Sequence, residues 1–159
     1  MQKEFEIVIT HSSITDKQKK DILAFWEKEG AFSDVRIAKK RVEEVIAIAK
    51  KGKEIVGVSS GVKGIYELMN QRFLFYRSFI GKNHRIKGLS KSLFNATFDY
   101  FNEISKSENI IGIFVSFENK MLNNKTRAVV TECHNLTLIG FNEHGIQLRV
   151  AYFDEAEIE

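Results

Sequence analysis

The sequence predicts an α/β (α+β) fold in which a mixed, mostly antiparallel central sheet is flanked by helices. Three observations carry that expectation. β-Branched and aromatic runs of strand length alternate with stretches whose apolar residues recur every three or four positions. Two of the runs, "VIAIAK" and "EIVGVSSGV", are separated only by Lys51 to Lys53, where Gly52 supplies the positive φ of a tight hairpin. A third run, "RFLFYRSFI", passes through a basic turn into a helical stripe and then into "IIGIFVSF". That order is the pattern of two parallel strands joined by a crossover helix.

Taken in chain order, "FEIVIT" (Phe5 to Thr10) is short and β-branched and reads as the first strand. "TDKQ" at Thr15 to Gln18 has capping-box spacing, Ile22, Leu23, Phe25 and Trp26 form an apolar stripe, and Gly30 stops that helix. Ser33 is the expected cap of a shorter helix through Ala38 to Arg41, in a stretch that also reads as loop. The hairpin follows, then the strand Arg72 to Ile80. From Leu89, the residues Leu93, Ala96, Tyr100, Phe101 and Ile104 lie on one helical face. Ile110 to Phe117 is a continuous apolar run, as expected of a strand buried on both sides. "NNKTRAVVTECHN" predicts a helix capped by Asn123 or Asn124. "IGFNEHGIQLRVAYF" predicts two strands turning near His144 and Gly145, and the acidic end "DEAEIE" is expected to fray. No repeat or linker breaks the chain, so residues 1–159 are expected to form a single domain.

Composition narrows the function classes. Hydrophobic residues make up 43% and charged residues 28%, which fits a folded globular protein and excludes a disordered one. A net charge of +3 suits an anionic ligand but falls far short of a nucleic-acid-coating protein. The lone cysteine, Cys133, cannot form an intramolecular disulfide, and no charged-then-apolar leader opens the sequence, so the cytoplasm is the expected compartment. No apolar run approaches the ~20 residues needed to cross a bilayer, so no membrane partner is expected.

The stretch that carries chemistry is "IGKNHRIKGLSKSL", in which Lys82, Arg85, Lys87 and Lys91 have no acidic neighbour. A helix opening near Gly88 presents free backbone N–H groups and a partial positive charge. Such an end binds phosphate, and Gly88 removes the side chain that would hold an anion away from the backbone. Arg85 adds a forked donor. A diphosphate matches the size and charge. Two familiar phosphate motifs fail on spacing: Gly81 and Gly88 are seven apart rather than five, and Gly57, Gly61 and Gly64 neither match the dinucleotide series nor precede a helix.

"RIKGLS" (Arg85 to Ser90) resembles the acetyl-coenzyme A loop of the GCN5-related N-acetyltransferase (GNAT) superfamily, whose pattern is Arg or Gln, two residues, Gly, one residue, then Gly or Ala. The likeness extends over nearly the whole element order and includes Gly140 and Phe141, which open the last hairpin. The resemblance implies a GNAT-like sheet whose central strands splay, through a β-bulge, at the acetyl-coenzyme A site. It implies acetyl transfer from acetyl-coenzyme A, as cosubstrate, to a primary amine by direct attack. It also implies that the backbone from Ile86 through Lys87, Gly88 and Leu89 to Ser90, with Arg85, holds the diphosphate, while the strand edge at Phe79 and Ile80 pairs with pantetheine. A lysine-like amine of pKa about 10.4 is mostly protonated at pH 7, so a base is wanted.

The catalytic half of the family pattern is less well kept. Arg72 to Ile80 contains no carboxylate where family members often carry a Glu, and Leu136 stands four residues before Gly140, where many carry a Tyr. Asn119, Asn123 and Asn124 lie farther from Gly140 than the usual pantetheine-contacting Asn, and Ser90 replaces the small closing residue. The catalytic residues are therefore unassigned, with Glu118, Cys133 and His134 as weak candidates. Each also has a plainer reading: Glu118 and Glu67 as solvated charges, Cys133 as a buried apolar thiol, His134 and His84 as surface residues. Arg77, mid-strand, is weighed toward structural pairing. Phe73, Phe75 and Phe79 alternate as core. The four histidines show no ligand spacing, so no metal is expected.

The expected partner is a small-molecule or peptide amine. Two alternatives stay open: a catalytically silent acyl-coenzyme A binder, and a small nucleic-acid-binding domain using the basic turn on backbone phosphates. A homodimer is the default assembly.

Overall fold

The computed structural model describes residues 4–85, 88–117, 136–154 and 156. The elements run in the order β1 (Glu6–Ile9), α1 (Asp16–Glu29), α2 (Val35–Val42), β2 (Val45–Lys51), β3 (Glu54–Tyr66), β4 (Gln71–Ile80), a 3-10 turn (Lys82–His84), α3 (Leu89–Glu108), β5 (Gly112–Ser116), β6 (Thr137–Phe141) and β7 (Gln147–Tyr152). The strands form one sheet in the order β1-β2-β3-β4-β5-β7-β6. β4 and β5 pair in parallel, whereas β1–β2, β2–β3, β5–β7 and β6–β7 are antiparallel. The predicted fold class is the observed one. The chain divides into two compact units, Met1–Gly61 with Arg77–Thr97, and Val62–Tyr76 with Phe98–Glu159.

In the first unit, α1 starts with a complete capping box: Thr15 Oγ1 accepts the Gln18 N–H at 3.1 Å and Gln18 Oε1 accepts the Thr15 N–H at 2.9 Å. Gly30, left-handed at φ +66, ends it. α2 is capped by Asp34 rather than Ser33. Its carboxylate accepts the Arg36 N–H at 2.8 Å and is bonded by the Arg36 guanidinium, so the charged form is favoured and its pKa lies below the usual carboxylate value. β2 is buried on both sides, and a register shift between Val45 and Ala47 puts Val45 in the same cluster as Ile48. Val45 and Ile48 pack with Ile22, Phe25, Trp26, Ala38 and Val42 of α1 and α2. Ala47 and Ala49 face Leu89 and Leu93 of α3, and their small side chains let that helix approach closely. β3 bonds to α3 through a buried hydroxyl pair, Ser59 Oγ to Thr97 Oγ1 at 2.9 Å, with Thr97 donating to the Leu93 carbonyl at 2.9 Å.

In the second unit, Phe73, Phe114 and Val150 form the core, with Phe75 and Tyr66 against Phe114. β5 is shorter than its apolar run because Ile110 and Ile111 precede it; the Ile111 N–H is nevertheless held by the Arg72 carbonyl at 2.9 Å. Gly112 is required by contact, since a Cβ there would lie 2.5 Å from the Ala151 carbonyl oxygen. The β6–β7 turn is built on Asn142, whose Oδ1 accepts the His144 and Ile146 N–H groups, with Gly145 at φ +73. Of the acidic end expected to fray, Asp154 is tied down, and residues 155 and 157–159 lie outside the described residues. Asn102 Nδ2 donates to Asp154 at 2.9 Å, and the Asp154 N–H returns to Asn102 Oδ1 at 2.9 Å. The helix expected over "NNKTRAVVTECHN" lies outside the described residues.

Candidate functional site

The site is the junction between β4 and α3, all of it in the first unit. Phe79 and Ile80 turn their side chains into different packing clusters, Phe79 against Phe25 of α1 and Ile80 against the Ala49 and Leu93 cluster. Two anchors hold the strand end. The Gly81 N–H donates to the Val56 carbonyl at 2.9 Å, and the His84 N–H to the Gly81 carbonyl at 2.9 Å. A Cβ at Gly81 would press on Glu29 Oε1 at 3.1 Å and the Phe25 ring at 3.3 Å.

Gly88 sits at φ +99, in the left-handed region glycine favours, and its carbonyl accepts the first helical bond, from Ser92, at 2.9 Å. It is therefore the helix cap, without a capping side chain. The N–H groups of Leu89, Ser90 and Lys91 are the orphan donors of this helix start, and none is taken up by a loop carbonyl or side chain among the described residues. Gly88 and Ser90 are exposed, while Leu89 is buried at 3% exposure and anchors the turn to the core. A Cβ on Gly88 would meet no atom within 4 Å, so the space beside Gly88 is open.

Cations flank Gly88 in the sequence. Lys82, Arg85 and Lys91 are exposed. Arg85 folds back on the strand end: its Nε donates to the Ile80 carbonyl at 3.1 Å and its guanidinium lies 5.7 Å from the Phe79 ring centre. His84 packs edge-on against Phe5 at 6.4 Å. Glu29, in the last turn of α1, accepts the Lys82 N–H at 3.1 Å and is the carboxylate that the described residues bring to this turn. Sequence reasoning missed it. The available signal was an acidic residue at a helix C-terminus, where the dipole disfavours one.

Of the residues expected to hold the diphosphate and pantetheine, Phe79, Ile80, Arg85, Gly88, Leu89 and Ser90 lie together at this junction; Ile86 and Lys87 lie outside the described residues. So do the catalytic candidates Glu118, Cys133 and His134. Glu67 is exposed in the β3–β4 turn. Arg77 is exposed, and no carboxylate of the described residues pairs with it. Among the described residues no cluster of His, Cys, Asp and Glu could hold a metal, and no helix is long and apolar enough to cross a membrane.

Two features of the second unit complete the description. The pairing between β4 and β5 consists of Leu74 with Ile113 and Phe75 with Phe114, and no described pair continues it. Leu136, at the position four residues before Gly140, is an apolar side chain buried at 2% exposure. Its carbonyl accepts Arg149 Nη1 at 2.9 Å, and the same fully buried guanidinium bonds Gln147 Oε1 and lies 5.3 Å from the Phe117 ring centre. Burial lowers the Arg149 pKa from its ordinary value.

No protein-family model and no curated protein sequence matches the chain. Solved structures do. An acetyltransferase of the GNAT family from Streptococcus pneumoniae superimposes with a TM-score of 0.60 at 13% identity, covering 94% of this chain and 99% of that one. A ribosomal-protein-S5-alanine acetyltransferase from Vibrio fischeri gives 0.64 at 11% identity, covering 99% and 97%. A putative acetyltransferase from Salmonella typhimurium, yncA, determined with its cofactor acetyl-CoA, gives 0.67 at 13% identity, covering 99% of each chain. The fold of this chain is the GNAT acetyltransferase fold.

Proposed function

We propose that the chain is a GNAT-superfamily acetyltransferase that moves an acetyl group from acetyl-coenzyme A to a primary amine. The observation that supports this most directly is the open run of N–H donors behind Gly88. It stands at the strand-to-helix junction of a fold shared with a protein determined with acetyl-CoA. The residues present fit a diphosphate: donors with no protein partner described, an uncapped helix start, and exposed cations at Lys82, Arg85 and Lys91.

In this reading, Leu89, Ser90 and Lys91 donate backbone hydrogen bonds to the diphosphate, and Arg85 swings from the Ile80 carbonyl to add its charge. That movement frees the backbone edge of Phe79 and Ile80 for the amide groups of pantetheine. The acetyl thioester supplies an activated carbonyl. A neutral amine attacks its carbon, the carbon–sulfur bond breaks, and the proton lost by the amine balances the thiolate that leaves. Glu118, Cys133 and His134 are the candidates for handling that proton. The acceptor class is a small-molecule or peptide amine; the Vibrio fischeri neighbour is named for an alanine of a ribosomal protein. The lone cysteine supports a reducing, cytoplasmic setting.

A second reading, a coenzyme binder that does not turn over, is favoured by Leu136 being buried and apolar and by the absence of a carboxylate from Arg72 to Ile80. One pair of measurements separates the readings. Acetyl-coenzyme A at ~100 times its dissociation constant should raise stability by about 2.7 kcal/mol, and an amine panel should release free thiol. A thermal shift without thiol release selects the silent binder. No shift with the coenzyme, or a shift with nucleic acid instead, overturns the proposal.

A further inference from the structure

We propose that the bare edge of β3, from Val62 to Tyr66, pairs with the same edge of a second copy of this chain, antiparallel about a two-fold axis at Gly64. β3 runs to Tyr66, but its ladder with β2 ends at Ser60 opposite Val45. One further bond, from the Gly61 N–H to the Glu44 carbonyl at 3.0 Å, marks the side on which β2 lies. Main-chain groups alternate sides along a strand, so Lys63 and Ile65 also turn their N–H and C=O groups to that side. No bond among the described residues takes these groups up. The edge is apolar where it is bare: Val62, Ile65 and Leu68 are 47%, 58% and 87% exposed. An unpaired strand edge of this kind is a template for another strand.

The occupant is a second copy because the edge complements itself in one register. With Gly64 on the axis, Lys63 stands opposite the second copy's Ile65, and the two exchange both main-chain bonds. Gly64 then meets the second copy's Gly64 at the non-bonded position, where opposed strands come closest, and neither carries a Cβ. The strand tolerates none there, since a Cβ on Gly64 would lie 2.9 Å from the Phe75 ring. Val62 falls opposite the second copy's Tyr66 on that same face, a β-branched residue against an aromatic one. On the other face, where Lys63 is ion-paired with Glu108 of α3, the exposed Glu67 lies diagonal to the second copy's Lys63. The neighbouring registers fail. An axis at Lys63 sets two ammonium groups directly opposite, which is destabilising. An axis at Ile65 requires the main chain of Glu67, which has left the strand and whose carbonyl accepts the Asn70 N–H at 3.1 Å. A two-fold pair is the closed arrangement that a self-matching edge makes. Val62 to Asn70, Phe75 and Glu108 all belong to the second unit and share no residue with the Gly88 turn, so the inference is independent of the acetyltransfer reading.

The test is sedimentation velocity of the full chain from micromolar to millimolar concentration, with amide hydrogen exchange measured at both ends of that range. The expected result is a reversible monomer–dimer equilibrium, weak because the shared edge is short. In the parent, the Lys63 and Ile65 amides should exchange fast when dilute and slow down as the dimer forms, whereas those of Val62 and Gly64, which face β4, stay protected throughout. Two variants at the exposed Ile65 read the register. Ile65→Lys places an ammonium opposite the second copy's Lys63 and should weaken the dimer about tenfold relative to Ile65→Glu, which places a carboxylate there. A chain that stays monomeric at millimolar concentration, equal dimerisation of the two variants, or Lys63 and Ile65 amides whose exchange does not depend on concentration would each overturn the proposal.

Discussion

Glu29, at the end of α1, accepts the backbone N–H of Lys82 at 3.1 Å and so ties α1 to the first residue of the turn that leads to α3. A half-buried carboxylate at a helix C-terminus opposes the helix dipole, so its place is accounted for by the bond it makes. Replacing it with Ala should lower stability by about 1 kcal/mol. Glu29→Gln retains an acceptor oxygen and should recover most of that loss. If the Gly88 turn holds a diphosphate as proposed, removing the negative charge beside it should also make Glu29→Gln bind acetyl-coenzyme A more tightly than the parent. Chemical denaturation and coenzyme titration of the two variants check both expectations; equal coenzyme affinity in Glu29→Gln and the parent would remove the electrostatic part of the account.

Gly88 carries two separable demands, its φ of +99 and the open space before it. Gly88→Ala should cost about 1–2 kcal/mol through the left-handed backbone alone. Gly88→Val adds bulk in front of the donors. It should abolish the thermal shift produced by acetyl-coenzyme A while the far-ultraviolet circular dichroism stays that of the folded parent. A full shift in Gly88→Val would remove the diphosphate from this turn.

The hydroxyls of Ser59 and Thr97 are both fully buried and bonded to each other at 2.9 Å. Thr97→Val leaves the Ser59 hydroxyl without that partner and should cost about 1–3 kcal/mol. In the double variant Ser59→Ala/Thr97→Val no hydroxyl is left stranded. The cycle should therefore show a coupling of about 1 kcal/mol, measured by urea denaturation.

The Arg36 side chain, and then its backbone N–H, hold the Asp34 carboxyl below its ordinary pKa. A depressed carboxylate pKa contributes stability that is fully present above the unfolded-state value of about 3.9. That contribution is lost as the pH falls through the lower folded-state value. Asp34→Asn keeps a cap acceptor but not the charge. Its melting temperature should fall below the parent's by a constant amount above about pH 5, and the gap should close as the solution is acidified below about pH 4. A gap that widens in acid would contradict the assignment.

Much of this architecture was legible from local pattern. The capping box at Thr15 and Gln18, the Gly52 turn between β2 and β3, and the stripe Leu93, Ala96, Tyr100, Phe101, Ile104 all depend on residues within a few positions of one another. Local sterics and hydrogen bonding decide them. The α2 cap was misplaced by one residue because Ser33 and Asp34 are both good caps, and the bond from Arg36 chose between them. The expectation of a frayed acidic end failed at Asp154 because Asn102, 52 residues away, bonds it twice.

The candidate site divides in the same way. By itself the sequence determined that a basic turn with Gly88 joins an apolar strand to an amphipathic helix, since charge, glycine and periodicity are properties of neighbouring residues. Only the tertiary structure decided that Glu29 braces that turn and that Arg85 folds over Phe79. Contacts between residues far apart in the chain are set by which faces can be buried together, and no spacing along the sequence encodes that.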